Sequence, residues 1–242
     1  FKTENGLDYT ADEVMIANGA KQILFDVFLA TLEPGDEVII PTPCWVSYGD
    51  IVALHGGKPV YVNCGPEDGF KISVGKLETA ITAKTRWLML NSPSNPTGAI
   101  YSAAEYQILA EVLVRHPDIL VVSDEIYEHV LLQGKPFVSF VSACPQLRDR
   151  TLIVNGVSKA YAMTGWRLGY AAGPKSLISS LNKMQSQSVS CVSSIAQEAA
   201  LAALTGNQTF VTDGAKIFAS RAHLMAERLA KIDGIDFTPP DG

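Results

Sequence analysis

Charge is scarce in this sequence of 242 residues: Lys, Arg, Asp and Glu together make up 18%, and the formal net charge is −6. A mildly acidic chain offers no broad basic surface to the phosphates of a nucleic acid, and nucleic acid is not expected as a partner. Cysteine is sparse too. Cys44, Cys64, Cys144 and Cys191 lie far apart, form no Cys-x-x-Cys pair and have no histidine at metal-ligand spacing. They read as buried or half-buried thiols in a reducing compartment, not as a disulfide framework. The histidines (His55, His116, His129, His223) do not cluster, and no metal site is expected. No apolar run reaches the roughly 20 residues that cross a bilayer. Nor does the start carry a signal-peptide pattern. No membrane partner is expected, and cytoplasm is the default location.

Hydrophobic residues make up 47% of the sequence, enough for a sizeable core. The length suits one large domain, or one domain and part of another. Apolar runs of strand length recur: DEVII (36–40), PVYV (59–62), RWLML (86–90), ILVVSD (119–124), TLIVN (151–155) and LGYAAG (168–173). Helical patterns lie between them. Residues 20–32 set Ile23, Leu24, Val27, Phe28 and Leu32 on one face. Residues 102–115 open with Ser102 and carry Glu105 three positions on, a capping-box signature. Buried strands alternating with helices predict an α/β fold with a mostly parallel sheet flanked by helices. After residue 174 the pattern is helical only, and residues 215–232 carry Ile217, Phe218, Leu224, Met225, Leu229 and Ile232 at helical spacing. This predicts a long helix leaving the α/β domain. The sequence starts at Phe1-Lys2-Thr3 and stops at Pro239-Pro240-Asp241-Gly242, so a piece of a longer protein is expected.

Ligands of open α/β sheets bind beyond the carboxyl ends of the strands. RWLML runs into NSPSNPTG, ILVVS ends at Asp124, and TLIVN leads to Lys159. Three strand ends thus bring an asparagine, an aspartate and a lysine to one rim. A partly buried lysine there suits Schiff-base chemistry, its amine attacking an aldehyde. An aspartate closing a buried strand is costly unless it meets a cation, and a protonated pyridine nitrogen is one. Together these demands describe a site for pyridoxal 5′-phosphate. Arg167 supplies a forked donor for the phosphate, and the backbone of Asn18-Gly19-Ala20-Lys21 opens a helix whose N–H groups suit an anion.

SKAYAMTGWRLGY closely resembles the lysine motif of the class I pyridoxal-phosphate aminotransferases of the aspartate aminotransferase type. NSPSNPTG, SDEIYEH, NGAKQ and PTPCWVSY resemble further blocks of that family in the same order, from about residue 5 to the end. The resemblance implies the large domain of a fold-type I enzyme, with a seven-stranded sheet over 1–208. Residues 209–242 would be a connecting helix and the start of a small domain. It implies catalytic roles for Lys159, Asp124 and Tyr127. Lys159 would carry the cofactor and move a proton at the substrate Cα. Asp124 would hold the pyridine nitrogen protonated, while Tyr127 and Asn95 would bond the ring oxygen. Trp45 would stack near the ring on the substrate side, and Gly19, Ala20, Lys21 and Arg167 would bind the phosphate. Trp45, Asn95 and Lys21 would also face the substrate, Lys21 meeting the distal carboxylate of an acidic one.

One departure stands out: Gly156 occupies the position where many relatives have a phosphate-binding serine. The family's carboxylate-binding arginine would lie beyond Gly242, and its N-terminal arm before Phe1. The activity implied is transamination from aspartate or another acidic amino acid to a 2-oxo acid, by a cytoplasmic homodimer. Two alternatives stay open: another reaction of the same cofactor, such as β-elimination, and an inactive module that binds cofactor and dimerises.

Overall fold

Alternation within the apolar runs decides which side of the sheet each residue faces. The structure, a computed structural model, describes residues 1–242. Its strands are β1 (Val14–Ala17), β2 (Glu37–Thr42), β3 (Lys58–Asn63), β4 (Thr85–Asn91), β5 (Leu120–Asp124), β6 (Thr151–Gly156) and β7 (Gly169–Ala172). They form one sheet in the order β1-β7-β6-β5-β4-β2-β3. β2 to β6 pair in parallel, and β7 runs antiparallel to both neighbours, β1 and β6. The sheet is therefore mostly parallel, with one reversed strand. Six of the strands coincide with the runs read from sequence. The seventh, β1, is only four residues long and has too little periodicity to stand out.

The helices are α1 (Lys2–Asn5), α2 (Ala20–Thr31), α3 (Ser47–Leu54), α4 (Val74–Ala80), α5 (Ala103–Val114), α6 (Phe140–Ala143), α7 (Lys175–Ser188), α8 (Ser194–Thr205) and α9 (Thr209–Leu229). On one face of the sheet, Trp87, Met89, Val122, Leu152 and Val154 pack against α2, α3 and α7. On the other, Leu88, Leu90, Val121 and Ile153 pack against α5 and α6. Ile23, Leu24, Val27, Phe28 and Leu32 are all buried, as the spacing predicts. The capping box of α5 forms: Glu105 N–H donates to Ser102 Oγ, and Ser102 N–H to Glu105 Oε2. It satisfies two donors that a helix start otherwise leaves open.

Two expectations need correction. The last helix spans Thr209–Leu229, not 215–232, and its apolar residues Ile217, Phe218, Leu224 and Met225 are exposed; only Val211 is buried. Cys191 is exposed, whereas Cys64 and Cys144 are buried and Cys44 is intermediate. After α9 the last residues turn back to the loop at Gly98. The N–H groups of Asp241 and Gly242 donate to Gly98 O at 3.0 and 2.9 Å, and Leu132 N–H donates to Asp241 O at 2.8 Å. Gly98 has φ +68, and a methyl group there would overlap Pro240 and the Gly242 carbonyl. No helix is long and apolar enough to cross a membrane.

Candidate active site

Parallel strands that end side by side set the floor of a cavity of about 290 Å³. Register places Asn91 of β4 beside Asp124 of β5, and Asp124 beside Val154 of β6. Two residues after β6 the backbone reaches Ser158 and then Lys159.

Asp124 is 4% exposed. Its carboxyl must therefore find partners in the protein. Tyr48 Oη donates to Oδ2 at 2.7 Å, and Ile126 N–H donates to Oδ1 at 3.3 Å. Burial pushes the carboxyl up to about 6, against the opposing pull of Tyr48, Ile126 and the Lys159 charge. Burial, then the Asp124 charge, pushes the Tyr48 hydroxyl well above the usual phenol range, so it stays a donor.

Asn95 is placed by Asn91. Asn91 Nδ2 donates to Asp124 O at 2.9 Å, and its Oδ1 accepts from Asn95 N–H at 2.8 Å. One side chain thus ties the Asn95 loop to the end of β5. The Asn95 side chain itself lines the cavity. The Lys159 ammonium lies 5.3 Å from the centre of the ring of Tyr127, which also lines the cavity. Lys159 is exposed, not partly buried as the sequence reading expects, because the walls supplied by this chain leave its side of the cavity open.

At the other end stands Arg167, in the left-handed region at φ +53. Its Nη1 donates to Thr164 O at 2.9 Å and its Nη2 to Asn18 O at 3.4 Å, and it forms no ion pair. Gly19 lies beneath the guanidinium, where a methyl group would overlap Nη2. The N–H of Gly19 already donates to Ala17 O at 2.7 Å, so it is not open to an anion. Helix α2 begins here. Its first internal bond, from Gln22 N–H to Gly19 O, comes after the amides of Ala20 and Lys21. Those two amides open the helix in the cavity that Arg167 also lines, and the positive end of a helix beside a guanidinium favours an anion. Gly169 of β7 permits this packing, since a methyl group there would overlap Ala20 N. Lys21 Nζ lies 4.6 Å over the Trp45 ring and 3.3 Å from Ser47 Oγ.

Every residue to which the resemblance assigns a catalytic, cofactor or substrate role lines this one cavity except Gly19, which borders it through Arg167. Sequence reasoning missed Tyr48, the bridging role of Asn91, and Ser158 and Thr164 of the lysine turn. Tyr48 lies in the first turn of α3, its ring edge-on to Trp45 at 5.4 Å, and its place in the same PTPCWVSY block is the signal that marks it.

The donor set suits pyridoxal phosphate. A lysine without an ion-pair partner would suit an aldehyde, a buried acid that lacks a cation would suit a protonated ring nitrogen, and an uncompensated guanidinium beside open helix amides would suit a phosphate.

Comparison with known proteins agrees with this chemistry. The family model described as aminotransferase class I and II matches residues 1–242. The chain is 54% identical over its full length to an aspartate aminotransferase of Rhizobium meliloti (strain 1021), covering 59% of that protein. It is 51% identical over 235 residues to an aspartate/prephenate aminotransferase of Nitrosomonas europaea, again covering 59% of it. The crystal structure of the Rhizobium meliloti aspartate aminotransferase superimposes on the whole chain with a TM-score of 0.98, at 53% identity and 60% coverage of that structure. An aromatic aminotransferase from Pyrococcus horikoshii OT3 gives a TM-score of 0.94 at 38% identity, with the chain covering 65% of it. The chain thus spans about 60% of the length of its curated relatives.

Proposed function

The chain belongs to the class I and II aminotransferase family, and on that premise we propose that it is the cofactor-binding part of a pyridoxal-phosphate-dependent aminotransferase. The observation that carries the reading is the meeting of Lys159, Asp124, Asn95, Tyr127 and Arg167 around one cavity. The favoured amino donor is aspartate or another acidic amino acid, and the acceptor a 2-oxo acid. Two relatives named for aspartate and the open Lys21 ammonium over Trp45 support that choice.

When bound, pyridoxal phosphate supplies an aldehyde to take the amino group and a ring that accepts the electron pair left when the Cα proton departs. The protein's residues divide the remaining work. Arg167 and the amides of Ala20 and Lys21 hold the phosphate, and Gly19 leaves room for Arg167 to do so. Asp124, buried and aimed by Tyr48, would hold a proton on the ring nitrogen. Asn95 and Tyr127 would bond the ring oxygen, and Trp45 would cover the ring on the substrate side. Lys159 would hold the cofactor by its aldehyde and would move the proton at the substrate Cα.

Residues 1–208 make up the large domain in this reading. Residues 209–242 connect to, and begin, a smaller domain, which the exposed apolar side chains of α9 support. The working protein is a cytoplasmic homodimer. Mixing with pyridoxal phosphate, reducing with borohydride and recording the visible spectrum tests the reading. The unmodified chain is expected to retain a covalent adduct and Lys159→Ala to retain none. An unmodified chain without adduct overturns the proposal.

A further inference from the structure

Two acidic residues close β5, and only one faces the cavity. Asp124 shares the α2–α3 face with Val122 and Val154. Glu125 points to the opposite face, toward α5 and α6, and is 1% exposed. Its Oε1 accepts three hydrogen bonds: from Ser123 Oγ at 2.8 Å, Ser139 Oγ at 3.0 Å and Phe140 N–H at 2.9 Å. Its main chain is tied as well: Glu125 N–H donates to Val154 O at 2.8 Å, and Glu128 N–H donates to Glu125 O at 2.9 Å.

We propose that Glu125 is a positioning residue, which holds Asp124 and Tyr127 in place by stapling the two ends of the loop 125–139 through one carboxyl oxygen. The inference rests on the cofactor reading above. The loop begins at Glu125 and ends at Ser139, and both ends meet at Oε1. Between them lie Ile126, whose N–H bonds Asp124, and Tyr127, which faces Lys159. Further along, Leu132 N–H holds the returning segment at Asp241. A loop closed at its base by three bonds to one buried atom has little freedom to shift these groups.

Burial disfavours the charged form of Glu125. Burial pushes its carboxyl up to about 8, and the charge of nearby Glu128 pushes the same way. Glu128 is the ionised neighbour, held below the usual range by His129, with Asn5 and Asn155 also donating to it. The hydroxyls of Tyr9 and Tyr106 face the same region, and burial pushes both above the usual phenol range. Glu125 Oε2 is buried without a partner, so the hold on the loop runs through Oε1 alone.

Three variants of the chain test the proposal: Glu125→Gln, which keeps a carbonyl acceptor of the same shape, Glu125→Ala, and Ser139→Ala, which removes one of the three donors. Two quantities are measured. One is hydrogen exchange of the amides from 126 to 132 in cofactor-free protein, and the other is the dissociation constant for pyridoxal phosphate. Glu125→Ala is expected to speed local exchange and weaken cofactor binding by about tenfold each. Ser139→Ala is expected to do so by about threefold, and Glu125→Gln to stay within about twofold of the unmodified chain. If Glu125→Ala exchanges and binds as the unmodified chain does, there is no staple. If Glu125→Gln is as damaging as Glu125→Ala, the group acts as an ionised carboxylate and the proposal is overturned. Should Glu125→Ala fail to fold, Ser139→Ala with unchanged exchange overturns it equally. An unmodified chain that binds no cofactor sinks the functional reading alone, because the exchange arm still decides the staple.

Discussion

The core strands and helix α9 carry apolar residues in comparable number, and the fold treats them oppositely. Along β4 and β5, Trp87, Leu88, Met89, Leu90, Val121 and Val122 are each at most 1% exposed. Along α9, Ile217, Phe218, Leu224 and Met225 are 48–59% exposed. Period tells which side chains share a face; it does not tell what covers that face. A strand inside a parallel sheet is covered on both sides by the helices its own crossovers bring. A helix that follows the last crossover has no such guarantee.

Truncation should make that contrast quantitative. Trp87 is fully buried, packs edge-on against Phe28 at 6.1 Å and donates its Nε1–H to Thr31 Oγ1 at 3.0 Å. Trp87→Ala should cost about 3–5 kcal/mol by urea unfolding. Phe218→Ser should change the stability of this chain by less than about 0.5 kcal/mol. Equal losses would break the comparison. In a longer polypeptide that continues past Gly242, a cost for Phe218→Ser of about 2 kcal/mol would show the stripe to be covered there.

The same contrast explains what was legible beforehand. Local rules sufficed where partners lie close in sequence: the Ser102–Glu105 cap and the α2 face needed only spacing. The strand-end rule brought Asn95, Asp124 and Lys159 together, because topology makes neighbours of chain ends that sequence separates. It failed where the deciding partner is remote and the element short. β1 exists because Val14–Ala17 pairs with Gly169–Ala172. Tyr48 matters because its hydroxyl meets Asp124, 76 residues away. Lys159 looked half-buried because its motif names the chemistry but not how much wall surrounds it. Gly19 looked like an amide donor, but its short bond to Ala17 O depends on the backbone path through that turn.

Titration sharpens the comparison next, since a shifted carboxyl needs burial that the sheet provides. Glu125 has its folded value raised to about 8 from an ordinary 4.5. Its contribution to stability is therefore complete below about pH 4.5 and is lost as pH rises toward 8, at up to about 1.4 kcal/mol per pH unit. His129, raised by Glu128, drifts the same way through its own range. The difference between the unmodified chain and Glu125→Gln isolates the glutamate. Urea unfolding from pH 5 to 8 should show the variant gaining on the unmodified chain across that interval. A constant difference would mean that Glu125 is ionised throughout.

The smallest effect is also the most discriminating, because it changes sign between the two regions. Gly169 in β7 and Gly214 in α9 both become alanine by adding one methyl group. At Gly169 the methyl would overlap the backbone nitrogen of Ala20 and the carbonyl carbon of Gly19, and backbone cannot step aside as a flexible side chain does. Gly169→Ala should thus destabilise by about 1–3 kcal/mol and weaken phosphate binding, because the start of α2 is pushed from its seat. At Gly214 nothing lies within reach of the methyl, and the backbone is ordinary helix. Alanine there only relieves the entropic cost of glycine in a helix interior, so Gly214→Ala should stabilise by about 0.5–1 kcal/mol. Thermal unfolding of both variants gives the signs directly. A loss at Gly214 would mean that α9 has a close neighbour on that side, and the division between a covered sheet and an uncovered helix would fail.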